Sequence, residues 1–262
     1  MMTASSTVLA LDAAQVRLGE RVFGPFSVQL SPGERLAILG PSGAGKSTLL
    51  KLMSGEVRHQ RGEIRLDGRD LRSRSMSGLA MRRAVLPQSH EVAFGLPAEL
   101  VIRLGRAARL RDAGVDRIIY LAATLAQAEH LLEARFDSLS GGERARVQLA
   151  RIFAQMWDVA AGVIFVDEPL AALDPGLQLH LASAIDAFAR ARNHAVVAVI
   201  HDLNHALARF DRLLLVKDCQ QAGLLNADIK AIPALEQLYG IRLHHTQVSG
   251  RPVVMSVGLQ AA

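Results

Sequence analysis

Cysteine is almost missing from this chain. Cys219 is the single one among 262 residues, so no intramolecular disulfide can form. This usage fits a reducing cytosol. Aromatic residues are scarce at 4%. They form no interleaved platform of the kind on which nucleic-acid bases stack. Long apolar runs are lacking too. The longest, such as Ala195 to Ile200 and Leu213 to Val216, are strand-sized, far short of the roughly 20 residues that cross a bilayer. The start, Met1 to Leu11, has no basic stretch followed by a long apolar one, so no signal peptide is expected. Internal repeats and low-complexity segments are also lacking. Acidic residues are outnumbered, 25 against 30 Lys and Arg, which leaves a formal net charge of +5. Arginine carries the excess, especially from Arg58 to Arg111. Such a bias reads as a solvated face, as contact with anionic headgroups, or as contact with an acidic partner surface.

What is present is a large α/β core. Hydrophobic residues make up 50% of the chain, ample for one domain. Residues 7–39 read as strands, with runs at Val8–Leu11 and Val16–Leu18, alternation over Phe26–Leu30, and a buried strand Arg35–Leu39. A helix is expected from Lys46 to Met53, and a strand with a turn behind it over Gly62–Gly68. From Ser89 the texture changes. Alanine, leucine and arginine recur at helical spacing from Ala98 to Arg111 and from Val115 to Leu132. Residues 89–152 are therefore expected to be a helical insert within the core. Strands then alternate with helices: strand Val163–Val166, helix Leu177–Arg190, strand Ala195–Ile200, helix Leu203–Phe210 and strand Arg212–Lys217. That alternation argues a mostly parallel sheet. In the tail, residues 241–262, one apolar run at Pro252–Val257 reads as a last strand.

Two segments carry recognisable chemistry. Gly40-Pro41-Ser42-Gly43-Ala44-Gly45-Lys46-Ser47-Thr48 is a phosphate-binding loop standing between a buried strand and a helix. Its glycines let backbone N–H groups wrap around phosphates, and the following helix adds its N-terminal dipole. Lys46 supplies a point charge to the β- and γ-phosphates of a nucleotide, and the Ser47 hydroxyl is placed to ligate Mg²⁺. The second segment is Asp167-Glu168, at the end of an apolar strand. Asp167 would emerge at the carboxyl edge of the sheet, where it can hold the Mg²⁺ shell. Glu168 is then the natural base for polarising an attacking water. His244 and His245 read as surface residues, away from these motifs.

With Leu139-Ser140-Gly141-Gly142-Glu143 between these two segments, the chain resembles an ATP-binding cassette (ABC) ATPase from Val8 to Tyr239. The resemblance implies a P-loop core of residues 7–88 and 153–240 with an antiparallel N-terminal β part, the helical insert of 89–152, and the tail of 241–262. It implies ATP and Mg²⁺ as cofactors. Ser140, Gly141, Gly142 and Glu143 match the signature loop, which in the family caps the γ-phosphate bound by a second subunit. Gln88 matches the glutamine that senses Mg²⁺, Asp174 the loop that crosses the dimer interface, and His201 the switch histidine that contacts the γ-phosphate. Two departures stand out. Leu170-Ala171 replaces the usual Thr-Ser, and Leu18 stands where an aromatic residue commonly stacks on adenine, which predicts a weaker or less selective base contact.

Within the family, Arg82–Gln88, Leu104-Gly105-Arg106, Arg146–Arg151 and His201-Asp202-Leu203-Asn204-His205-Ala206 are similar to bacterial importers of iron–siderophores, vitamin B12 and haem. Ala84–Gln88 with Val147–Trp157 is most similar to the haem-importing type. That resemblance implies a homodimer joined to two transmembrane permease subunits and a periplasmic haem-binding protein. It places the chain peripherally on the cytoplasmic face of the bacterial inner membrane, with no direct haem contact and no specific nucleic acid. Siderophore or cobalamin import is the alternative cargo. A soluble ABC ATPase acting on nucleic acid is the alternative class; such proteins usually carry two cassettes or a long coiled-coil insertion.

Overall fold

The computed structural model describes residues 7–87, 95–109, 111–167, 174–248 and 250–259. The chain divides into two compact units, one made of Met1–Ser73 with Ala195–Ala262, the other of Arg74–His194.

The first unit opens with strands β1 (Leu9–Leu18), β2 (Arg21–Leu30) and β3 (Arg35–Leu39), helix α1 (Lys46–Ser54), and strands β4 (Arg61–Leu66) and β5 (Arg69–Asp70). The two runs read separately in the sequence are one strand, β1, bent by register shifts on either side of Ala14. Strands β2-β1-β4-β5 form the antiparallel N-terminal sheet. Its last hairpin turns on Asp67 and Gly68, both at positive φ, as a two-residue turn that follows the strand twist demands.

The second unit carries α2 (Met76–Ala80), β6 (Arg83–Leu86), α3 (Ala98–Leu104), α4 (Val115–Leu125), α5 (Gly141–Met156), β7 (Val163–Asp167) and α6 (Pro175–Arg192). Strands β6 and β7 pair in parallel, and α3 and α4 pack on α5. The helical periodicity of Ala98–Arg111 breaks sooner than its pattern suggests. Arg106 turns inward, with its side chain 3% exposed, and pairs with Asp112 and, at 2.8 Å, with Asp158. Its Nη1 also donates to the Ala154 carbonyl at 3.0 Å. Arg109 donates to the Gln155 carbonyl at 3.1 Å, and Arg192 to that of Trp157 at 2.9 Å. Three arginines thus bind carbonyls at the carboxyl end of α5, where intrahelical donors run out, and they offset the negative end of its dipole.

The chain then returns to the first unit with β8 (Ala195–Val199), α7 (Leu203–Arg209), β9 (Arg212–Lys217), β10 (Gln220–Asn226), α8 (Ile232–Tyr239), β11 (Ile241–Val248) and β12 (Arg251–Leu259). Here β3 lies between β8 and β9, parallel to both, and β10 closes the edge antiparallel to β9. Leu36, Ala37, Ile38 and Leu39 of β3 are wholly buried, as a strand covered on both faces requires. The N-terminal sheet is tied to this layer by Ser27 N–H to Gln221, Gly24 N–H to the Cys219 carbonyl, and Arg212 to the Gln29 carbonyl. The antiparallel N-terminal sheet, mostly parallel main sheet and inserted helices agree with the fold class expected. The tail strand expected at Pro252–Val257 is β12, and it pairs with β11 as an antiparallel hairpin. No helix among the described residues is long and apolar enough to cross a membrane.

Candidate nucleotide site

Strand β3 delivers the chain into the phosphate loop at Gly40, where two contacts leave no alternative to glycine. A Cβ there would collide with the Val216 carbonyl of the neighbouring strand β9. At Gly45, φ is +99° and a Cβ would lie 2.8 Å from the Phe23 ring. The loop is also held from outside. The Gly40 N–H donates to the Tyr239 hydroxyl at 3.0 Å, and the Cys219 N–H donates to the Ala44 carbonyl at 3.1 Å. Lys46 is 6% exposed, and its Nζ donates to the carbonyls of Gly40 (2.9 Å) and Pro41 (3.0 Å). The ammonium is therefore folded back over the loop's own mouth. Helix α1 begins at this lysine with no acidic residue in its first turn and no side-chain cap. That leaves its positive end suited to an anion, and the cradle fits the phosphates of a nucleotide. Ser42 and Gly43 are exposed, and Ser47 and Thr48 are half-buried at the start of the helix.

His201 belongs to the same unit. Strand β8 pairs with β3 from Arg35↔Val196 to Ile38↔Val199, and the Ile200 N–H continues the ladder to the Ile38 carbonyl at 3.2 Å. Extending that register by two steps brings His201 off the sheet at the level of Gly40. The exposed His201 is followed at once by α7, whose N-cap Asp202 accepts from the N–H groups of Asn204 (2.8 Å) and His205 (3.2 Å). Leu18 closes β1 and is 42% exposed.

The second unit holds the other expected residues. Asp167 ends β7 with 7% exposure. Ser140 caps α5 in a reciprocal box. Its Oγ accepts from the Glu143 N–H at 3.4 Å, while Glu143 accepts from the Ser140 N–H (2.8 Å) and hydroxyl (2.7 Å). The Ser140 side chain and backbone hydrogen bonds hold the Glu143 carboxyl below its ordinary range. The exposed Gly141, with open space where a Cβ would stand, leaves the mouth of this helix unobstructed. Asp174 caps α6, accepting from the Leu177 N–H at 3.0 Å. Gln88, Glu168, Leu170 and Ala171 lie outside the described residues.

The sequence matches the ABC transporter family over residues 23–171. The chain belongs to the ABC transporter family. Among curated relatives, the hemin import ATP-binding protein HmuV of Pseudomonas entomophila (strain L48) is 40% identical over 238 residues, covering 89% of this chain and 93% of that protein. HmuV of Pseudomonas fluorescens (strain Pf0-1) is 39% identical over 254 residues, covering 92% and 96%. A chain of an ABC transporter solved in an inward-facing conformation shares the fold. Its TM-score is 0.78 at 23% identity, covering 97% of this chain and 98% of that one. Such a domain binds ATP and hydrolyses it, so the chain is an ABC transporter ATPase that assembles with a permease. Two residues that touch this site's framework, Tyr239 and Asn204, carry no sequence signal for such a role. Each acts through a contact made between distant segments.

Proposed function

We propose that the chain is the ATP-hydrolysing subunit of a bacterial importer of haem. The cargo reading is carried by relatives named for hemin import that match at 40% and 39% identity over nearly the whole chain. The ATPase chemistry rests on the Gly40–Lys46 cradle. In this reading residues 40–48 cradle the ATP phosphates. Lys46 turns from its loop carbonyls toward the β- and γ-phosphate oxygens. Ser47, Asp167 and Gln88 would hold Mg²⁺, which when bound supplies charge neutralisation on the phosphates. Glu168 orients and deprotonates the attacking water, and His201 contacts the γ-phosphate. Ser140, Gly141 and Gly142, from a second copy of the chain, close over the same phosphate, with Asp174 at the interface between copies. Catalysis is then positioning and charge stabilisation. Closure of two copies around two ATP molecules moves two permease subunits at the cytoplasmic face of the inner membrane. Haem is handed over by a periplasmic binding protein and never touches this chain. Nucleic acid has no part in the cycle.

The test is reconstitution of the chain with a haem-importer permease, with ATPase activity measured with and without haem-loaded binding protein. Stimulation by haem is expected. Stimulation by ferric siderophore or cobalamin instead would keep the mechanism and change the cargo. Failure to complex with any such permease would overturn the transport role.

A further inference from the structure

The phosphate loop and the His201 segment are both bonded to one C-terminal element. Tyr239, the last residue of α8, accepts the Gly40 N–H at 3.0 Å. The next peptide unit of Gly40 is held by Lys46, so this residue is fixed on both sides. Burial pushes the Tyr239 phenol above its ordinary pKa, which keeps it a neutral hydroxyl. Three residues before Tyr239, Glu236 accepts the Leu243 N–H at 2.6 Å and so joins α8 to β11. From the other strand of that hairpin, Val254 makes a two-way bond with the Asn204 side chain. Asn204 Nδ2 donates to the Val254 carbonyl at 3.0 Å, and the Val254 N–H donates to Asn204 Oδ1 at 2.7 Å. Asn204 lies in the first turn of α7, and its own N–H is bonded to Asp202, the neighbour of His201. An unbroken path therefore runs from Gly40 through Tyr239, Glu236, Leu243, the β11–β12 pair, Val254 and Asn204 to the turn that carries His201.

We infer that Tyr239 and Asn204 are positioning residues, which hold the phosphate loop and the His201 segment against a common C-terminal brace. The inference rests on the reading of residues 40–48 as the ATP cradle. The physical reason is that both segments are loops leaving the sheet, where the β3–β8 ladder ends at the Ile200 N–H and Gly40 is bonded to Tyr239 instead of a strand. A loop that must meet phosphate at hydrogen-bonding distance loses affinity when an ångström of play is allowed. A buried N–H left without its acceptor is a strong drive toward such play. Asn204 belongs to a segment singled out in the sequence only by resemblance. The brace gives its amide a physical task, since a carboxamide presents donor and acceptor together to one extended residue.

The experiment uses the full chain, reconstituted with its permease, with Tyr239→Phe and Asn204→Ala made singly. Equilibrium binding of a fluorescent ATP analogue and steady-state ATPase are measured beside the thermal midpoint. Tyr239→Phe should weaken nucleotide binding about fivefold and leave kcat within about twofold. Asn204→Ala should lower kcat about fivefold with binding unchanged, and Asn204→Asp, which keeps the acceptor for Val254, should recover part of the loss. A lower thermal midpoint with binding and kcat both at wild-type values would make the contacts merely structural and overturn the inference. Lys46→Ala run alongside separates the underlying reading. Wild-type ATP affinity in that variant would overturn the cradle, and the inference with it.

Discussion

His194 shows how one side chain can set a pH limit on this fold. It is 1% exposed, and its Nδ1 accepts the Gly162 N–H at 3.0 Å. Burial, with the charges of Arg192 and Arg82, lowers its pKa from 6.5 to about 4. The folded state therefore keeps the ring neutral where the unfolded chain has already taken up a proton. Stability from this residue is complete above pH 6.5 and is lost as pH falls toward 4, by about 3 kcal/mol. Urea unfolding between pH 7.5 and 4.5 should show this slope, and His194→Gln should flatten it. An unchanged slope would assign the acid loss to other groups. The sequence marks Lys46 and His201 through their neighbours, whereas His194 follows a helix end like any surface histidine. Only the pairing with Gly162 reveals it.

Helix α5 shows the same contrast between local and tertiary information. Its start is legible, because Ser140 and Glu143 stand at capping-box spacing. Its far end is not, because arginine counts do not tell which guanidinium turns inward. The arginine excess between Arg58 and Arg111, read as a solvated or partner-facing surface, includes two residues that instead close α5. Arg106 meets Asp112 and Asp158, and Asp112 is held below its ordinary pKa first by the Arg106 hydrogen bond. Removing the cation would strand a mostly buried carboxylate. Arg106→Met should cost about 3 kcal/mol, the low end for a buried pair because Asp158 is half-exposed, and Arg106→Met with Asp112→Leu should recover part of it. Chemical denaturation checks both. Strands β3 and β9 were readable to the residue because unbroken apolar runs mean burial on both faces. Strand β10, Gln220–Asn226, and strand β11, Ile241–Val248, were not read, since polar edge residues resemble a loop until their partner strands are known.

At the scale of the whole molecule, the proposed chemistry is shared between two copies, so a variant unable to complete hydrolysis should collect in the closed form. Glu168→Gln is expected to bind ATP normally and to run as a dimer in ATP on size exclusion, where the unaltered chain returns to its starting form after turnover. Normal ATPase rates in that variant would move the base elsewhere. The division of the chain has a separate consequence for its birth on the ribosome. The unit that carries the phosphate loop is written in two separate stretches, up to Ser73 and again from Ala195. The sheet partners of β3 and the hydroxyl that meets Gly40 all belong to the later part. Arg74–His194 emerges as one stretch and can condense while synthesis continues, whereas β3 must wait for strands more than a hundred residues behind it. A nascent chain therefore holds an open, unfinished phosphate loop until Tyr239 has left the ribosome, and the power to hold ATP arrives only then.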